Sequence, residues 1–125
     1  MKSKRPVNLD ISTISLPLTN IASFAHRLSG IGLFLGTGLL LFLFQTSLES
    51  KEGFESVLSM KDNYLISLVL WFVLAAVLYH LIAGTKHLLL DFGYGETKAG
   101  AKIGAVSVVA TFLISVSVVS ALLWF

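Results

Sequence analysis

Two groups of polar side chains interrupt a sequence that is otherwise strongly apolar. The first is Ser23-Phe24-Ala25-His26-Arg27-Leu28-Ser29-Gly30. Ser23, His26, Arg27 and Gly30 follow i, i+3, i+4, i+7 and so share one helical face. A hydroxyl, an imidazole and a guanidinium then point together; the serine and arginine suit a carbonyl-bearing headgroup, and the glycine one turn deeper admits something bulky. Arg27 alone has a plainer use, snorkelling to lipid headgroups; that use needs neither the histidine nor the hydroxyl. The second group is His80-Leu81-Ile82-Ala83-Gly84-Thr85-Lys86-His87, running on to Asp91. His80 and His87, seven apart, lie on one face about 10 Å apart along the axis, with Gly84 leaving an indentation between them. A neutral imidazole there is either a hydrogen-bonding group between helices or an axial ligand to a haem iron. Projecting from one helix, His80 and His87 cannot clamp one iron from opposite sides. The second ligand of a bis-histidine haem is then His26 or comes from another chain.

The elements that position these groups follow from where charge is missing. Only 13% of the 125 residues are Asp, Glu, Lys or Arg, 55% are hydrophobic, and mean hydropathy is +0.86. Soluble domains carry about a quarter of their residues as charges. No charge falls between Arg27 and Glu49, between Asp62 and Lys86, or after Lys102. Each run reaches the roughly 20 residues that a helix needs to cross a bilayer. The expected fold is therefore all-α and integral to the membrane. Its domain is a single membrane anchor over residues 1–125, with an N-terminal arm over 1–20 and spans over roughly 21–47, 64–90 and 102–124. Pro6 and Pro17 break the arm, and Thr19 or Asn20 is expected to cap the first span. Gly30, Gly32, Gly36 and Gly38 in the first span, and Gly104, Ser107, Ser117 and Ser120 in the third, allow helices to approach closely.

Lys and Arg outside the spans set the orientation. Lys2, Lys4, Arg5, Arg27, Lys86, Lys98 and Lys102 belong to the N-terminal segment and the second connection; the first connection has only Lys51 and Lys61. The N-terminus is thus expected in the cytoplasm and the C-terminus in the periplasm, with Tyr64, Trp124 and Phe125 at the outer interface. Spans one and two, antiparallel, then bring both polar groups to one depth near the cytoplasmic face. Three helices enclose a macrocycle poorly, which favours a second membrane subunit and a heteromeric bundle.

Other chemistries are excluded. The absence of cysteine removes disulfides, thiolate metal sites and iron–sulfur ligation. The connections are too short for a phosphate-binding glycine loop or a serine–histidine–acid constellation, so no residue is assigned a catalytic role. The net charge of +2 gives no reason to expect nucleic acid. The basic start is followed by polar residues 8–15 rather than an apolar stretch, so no cleavable signal peptide is expected. Nor does it read as a mitochondrial transit peptide, which favours a bacterial chain.

These motifs resemble the cytochrome b anchor subunit of succinate dehydrogenase, respiratory complex II, in its proteobacterial form. The family pattern Arg-Pro followed by Ser-x-x-His-Arg-x-Ser reads here Arg5-Pro6-Val7 and Ser23-Phe24-Ala25-His26-Arg27-Leu28-Ser29. The pattern His-x-x-x-Gly-x-Arg-His with a following Asp-x-Gly reads His80 to His87 and Asp91-Phe92-Gly93, with Gly53-Phe54-Glu55 in the intervening loop. Lys86 departs from the family's arginine and loses its bidentate fork; Leu90 stands where methionine or an aromatic is commoner. The resemblance implies that His80 is an axial ligand of haem b, shared with a second, small anchor subunit that supplies the other ligand. It implies that Ser23 and Arg27 bind ubiquinone, and that His26, Arg27, His87 and Asp91 lie near the haem propionates or on a proton path. The implied activity is electron transport in the tricarboxylic acid cycle: a subunit of succinate:ubiquinone oxidoreductase that does not itself oxidise succinate. Electrons would come from an iron–sulfur subunit, itself served by a flavoprotein, at the bacterial inner membrane. The alternatives are the anchor of a quinol:fumarate reductase, or a haem-free structural or proton-relay subunit.

Overall fold

The computed structural model describes residues 17–125; the N-terminal arm with Arg5-Pro6-Val7 lies outside the described residues. Three long helices dominate: α1 (Leu18–Glu49), α3 (Tyr64–Asp91) and α4 (Lys98–Trp124). Each is long and apolar enough to cross a membrane. They run up, down and up, with α3 packed against both α1 and α4, and α1 also touching α4. At about 1.5 Å per residue α1 is about 48 Å long, well beyond a hydrocarbon core of about 30 Å.

Helix ends follow local chemistry. Pro17, with φ −64°, starts α1 without a side-chain cap, and its carbonyl accepts from the Asn20 amide at 2.9 Å. Thr19 and Asn20 therefore lie inside the first turn and do not cap it, because proline already fixes the entry angle. A short helix not expected from the sequence, α2 (Lys51–Ser59), occupies the first connection, where the Ser50 hydroxyl accepts from the Gly53 amide. Gly53 is required there: a β-carbon would run into the Thr46 carbonyl. Asn63 caps α3 by accepting from the Leu65 and Ile66 amides, and Thr97 caps α4 through the Gly100 amide. At the end of α3, Gly93 has φ +86°, and the Tyr94 amide donates to the Leu89 carbonyl at 2.9 Å. That is a Schellman stop, which needs a residue free to enter the left-handed region.

Burial is inverted relative to a soluble protein. The buried residues are small, among them Ala22, Ala75, Ala83, Ala105, Ser29 and Ser67, whereas Phe34 is 81% and Leu35 74% exposed. Lipid tails are as apolar as leucine, so contact between spans rests on close packing and hydrogen bonds rather than on hydrophobic burial. Gly36 lies so close to Val73 that an added β-carbon would be 2.6 Å from its Cγ1. The Trp71 indole donates to Ser120 Oγ at 2.8 Å, and the Tyr79 hydroxyl donates to the Ala22 carbonyl at 2.8 Å. Gly38 meets no neighbour within 4 Å, and Ser107 and Ser117 are exposed, so only part of the small-residue set serves contact within this chain. Gly36→Ala is expected to destabilise the α1–α3 contact by about 1–3 kcal/mol, as overpacking does. Adding Val73→Ala should restore part of that loss, and a double-mutant cycle by unfolding in mixed micelles measures the coupling.

Candidate functional site

The histidines of α1 and α3 converge where the two helices cross. The rings of His26 and His80 stack with centroids 4.1 Å apart and planes inclined by 18°. His87 lies tilted against His26, with centroids 5.0 Å apart and planes inclined by 47°. Two glycines make this approach possible. A β-carbon on Gly30 would stand 3.1 Å from His80 Cε1, and one on Gly84 would stand 3.4 Å from His26 Nε2. Each helix thus opens a notch for the imidazole of the other. The bulky group that Gly30 admits is the ring of His80, and the indentation beside Gly84 receives His26.

Hydrogen bonds fix the orientation of His80. Its Nδ1 is 3.2 Å from the His26 carbonyl and 3.2 Å from Ser29 Oγ. A carbonyl only accepts, so Nδ1 carries the proton. The Ser29 hydroxyl spends its own proton on the same carbonyl, at 2.6 Å, and so turns a lone pair toward Nδ1–H. His80 Nε2 is left without a partner among the described residues, on a side chain lining a groove of about 400 Å³ with His26, Gly84 and His87. His26 Nε2 is buried and also unpartnered.

The sequence-derived candidates fall into two sets. His26 contacts both His80 and His87. Ser23 is half-buried and Arg27 exposed, flanking His26 on α1, while Asp91 is exposed at the last turn of α3. Among the described residues neither Arg27 nor Asp91 is in an ion pair; the pair that forms, Lys51–Glu55 at 3.8 Å, lies on α2. Lys86 lays its aliphatic stem against Gly104 of α4 rather than joining the histidines. Ser29 was not singled out from the sequence as a site residue. The available signal was its place three residues after His26 in an apolar span, where a buried hydroxyl needs a partner. Among the described residues no three His, Asp or Glu side chains converge to hold a bare metal ion.

The family model described as succinate dehydrogenase/fumarate reductase transmembrane subunit matches residues 1–119. The chain belongs to this family. It is 35% identical over 125 residues, 99% of this chain and 100% of the relative, to the succinate dehydrogenase cytochrome b556 subunit of Coxiella burnetii. It is 30% identical over 94 residues, 75% of this chain and 72% of the relative, to the cytochrome b556 subunit of Paracoccus denitrificans. A cytochrome b560 subunit of Reclinomonas americana is 30% identical over 99 residues, covering 75% of this chain and 69% of the relative. The segment His80 to His87 lies on α3, and Asp91-Phe92-Gly93 forms the Schellman stop at its end.

The chain has 3 histidines, so selective labelling reads each ring by NMR. Gly30→Leu is expected to push His80 off His26, which would remove the mutual ring-current shift of those two side chains and leave that of a solvated imidazole.

Proposed function

We propose that this chain is a membrane anchor subunit of succinate:ubiquinone oxidoreductase, contributing one axial ligand of a shared haem b and part of the ubiquinone site. The observation that carries the reading is His80, in a chain of this family: Nδ1 is committed to α1, and Nε2 is unpartnered at an open groove. An axial histidine needs that division, because the nitrogen facing the iron must offer a lone pair while the other is held. A macrocycle brings its iron already coordinated, so one imidazole from this chain suffices where a bare ion would need several ligands. Haem, when bound, supplies one-electron chemistry to a pocket where quinone takes up two electrons and two protons.

His26 is a poor candidate for the opposing ligand. Its ring lies face to face with that of His80 at 4.1 Å, which leaves no room for an iron and a macrocycle plane between their nitrogens. This supports a second, small anchor subunit as the source of the other ligand. Ser23 and Arg27 flank this cluster on α1 and are free to hydrogen-bond a quinone headgroup. His26, His87 and Asp91 run from the groove to the end of α3, an arrangement suited to propionate contacts or to proton entry. In this reading the end of the bundle holding these groups faces the cytoplasm. There an iron–sulfur subunit delivers electrons from a flavoprotein, and the C-terminus lies on the periplasmic side of the inner membrane.

His80→Ala is expected to abolish or strongly weaken the b-type α and Soret bands of the dithionite-reduced complex. Unchanged bands would remove His80 from the coordination sphere, and a wild-type complex without such bands would leave a haem-free anchor. Ser23→Ala and Arg27→Ala are each expected to lower ubiquinone reduction about ten- to a hundredfold, the loss of one hydrogen bond of about 1.5–3 kcal/mol. Succinate oxidation with an artificial acceptor should stay normal in both; normal quinone reduction would place the pocket elsewhere.

A further inference from the structure

Ser29 stands at the junction of α1 and α3, outside the set assigned above to quinone or propionate contacts. It is only 9% exposed, and its hydroxyl is fully used: the proton goes to the His26 carbonyl at 2.6 Å, and a lone pair faces His80 Nδ1 at 3.2 Å. The same Nδ1 is 3.2 Å from the His26 carbonyl, so His80 donates one forked hydrogen bond to two acceptors that are themselves joined. The backbone member of this fork belongs to any residue at position 26. The hydroxyl member depends on Ser29 alone.

We propose that Ser29 is a positioning residue for His80, steadying its ring and raising the donor strength of Nε2 toward the iron, while the His26 carbonyl sets the Nδ1–H tautomer. The inference rests on the assignment of His80 as an axial ligand. An acceptor on Nδ1–H pushes electron density into the ring and raises the basicity of the opposite nitrogen. A more basic ligand favours the ferric over the ferrous state, and removing the acceptor acts in the opposite sense. The fork also resists rotation of the ring, because turning His80 breaks both contacts at once and leaves the Ser29 oxygen without its second partner in an apolar setting. A residue that served only to pack α1 on α3 would require the small volume of serine and not its hydroxyl.

The test uses the assembled complex carrying Ser29→Ala, Ser29→Thr or Ser29→Cys, with haem content, reduced-minus-oxidised spectra and a potentiometric titration of the haem. The expected result is that Ser29→Ala raises the midpoint potential and weakens haem retention about ten- to a hundredfold, the usual effect of losing an outer-shell partner. Ser29→Thr, which keeps the hydroxyl, should return both toward wild type. A wild-type potential and haem content in Ser29→Ala would overturn the proposal, as would a Ser29→Thr variant that behaves like alanine while the complex is fully assembled. Should Ser29→Ala not accumulate, Ser29→Cys carries the test: its thiol is a weak acceptor of similar size, so its potential should lie above wild type, and an unshifted value overturns the idea. His80→Ala separates the two levels. Bands unaltered by His80→Ala defeat the ligand assignment itself, whereas bands lost in His80→Ala but unmoved in Ser29→Ala defeat only the role of Ser29.

Discussion

Two imidazoles seated beside two glycines hold the crossing of α1 and α3 together. In a bilayer, helices gain little from hiding apolar surface from one another, so a contact must come from shape and from polar groups that lipid cannot satisfy. The crossing of α1 and α3 uses both. Gly30 and Gly84 let the backbones approach, His26 and His80 fill the space by stacking at 4.1 Å, and the Ser29 hydroxyl ties the second ring back to the first helix. A β-carbon at Gly30 would crowd the ring of His80, and one at Gly84 would touch His26, so packing and polar satisfaction are linked here.

The remainder of the bundle repeats this economy with different residues. Tyr79, one position before His80, reaches the Ala22 carbonyl and fixes α3 on α1 from the other side; its ring meets Phe112 of α4 edge-on at 5.1 Å. Trp71 does the same for α3 and α4 through Ser120. Such interhelical bonds contribute about 0.6 kcal/mol on average in membrane proteins, so several in register are needed for a defined arrangement. Phe24, Phe34, Leu35 and Phe42 face outward and are exposed in this chain.

Much of this was legible in the sequence because lipid imposes a sharp rule on charge. The three uncharged runs mark the long helices, and the i, i+3, i+4, i+7 spacing places Ser23, His26 and Arg27 on one face of α1. The seven-residue spacing and Gly84 gave the groove on α3. What periodicity could not give was the pairing between helices. Gly30 reads equally well as room for a ligand or for a neighbouring side chain, and only the crossing geometry shows His80 filling it. Ser29 carries no distinct signal in the sequence, because hydroxyls inside helices often bond back to their own backbone, as Thr37 and Thr85 do here. Its second contact exists only through tertiary structure. The short helix α2 was hidden for a different reason: charged residues in a connection look like a solvated loop until Ser50 and Gly53 are seen as a cap.

The tight stop at Gly93 and the Thr97 cap make α3 and α4 a closed hairpin, whereas α1 reaches it through the longer α2 connection. The vertical alignment of α1 against that hairpin therefore needs an index mark, since a smooth apolar helix can slide by a turn at little cost. The notches supply one. Sliding α1 by four residues would present Phe34 or His26, instead of Gly30, to the ring of His80. Either is blocked by bulk, so the glycines act as a detent that sets the height of every polar group on the first helix.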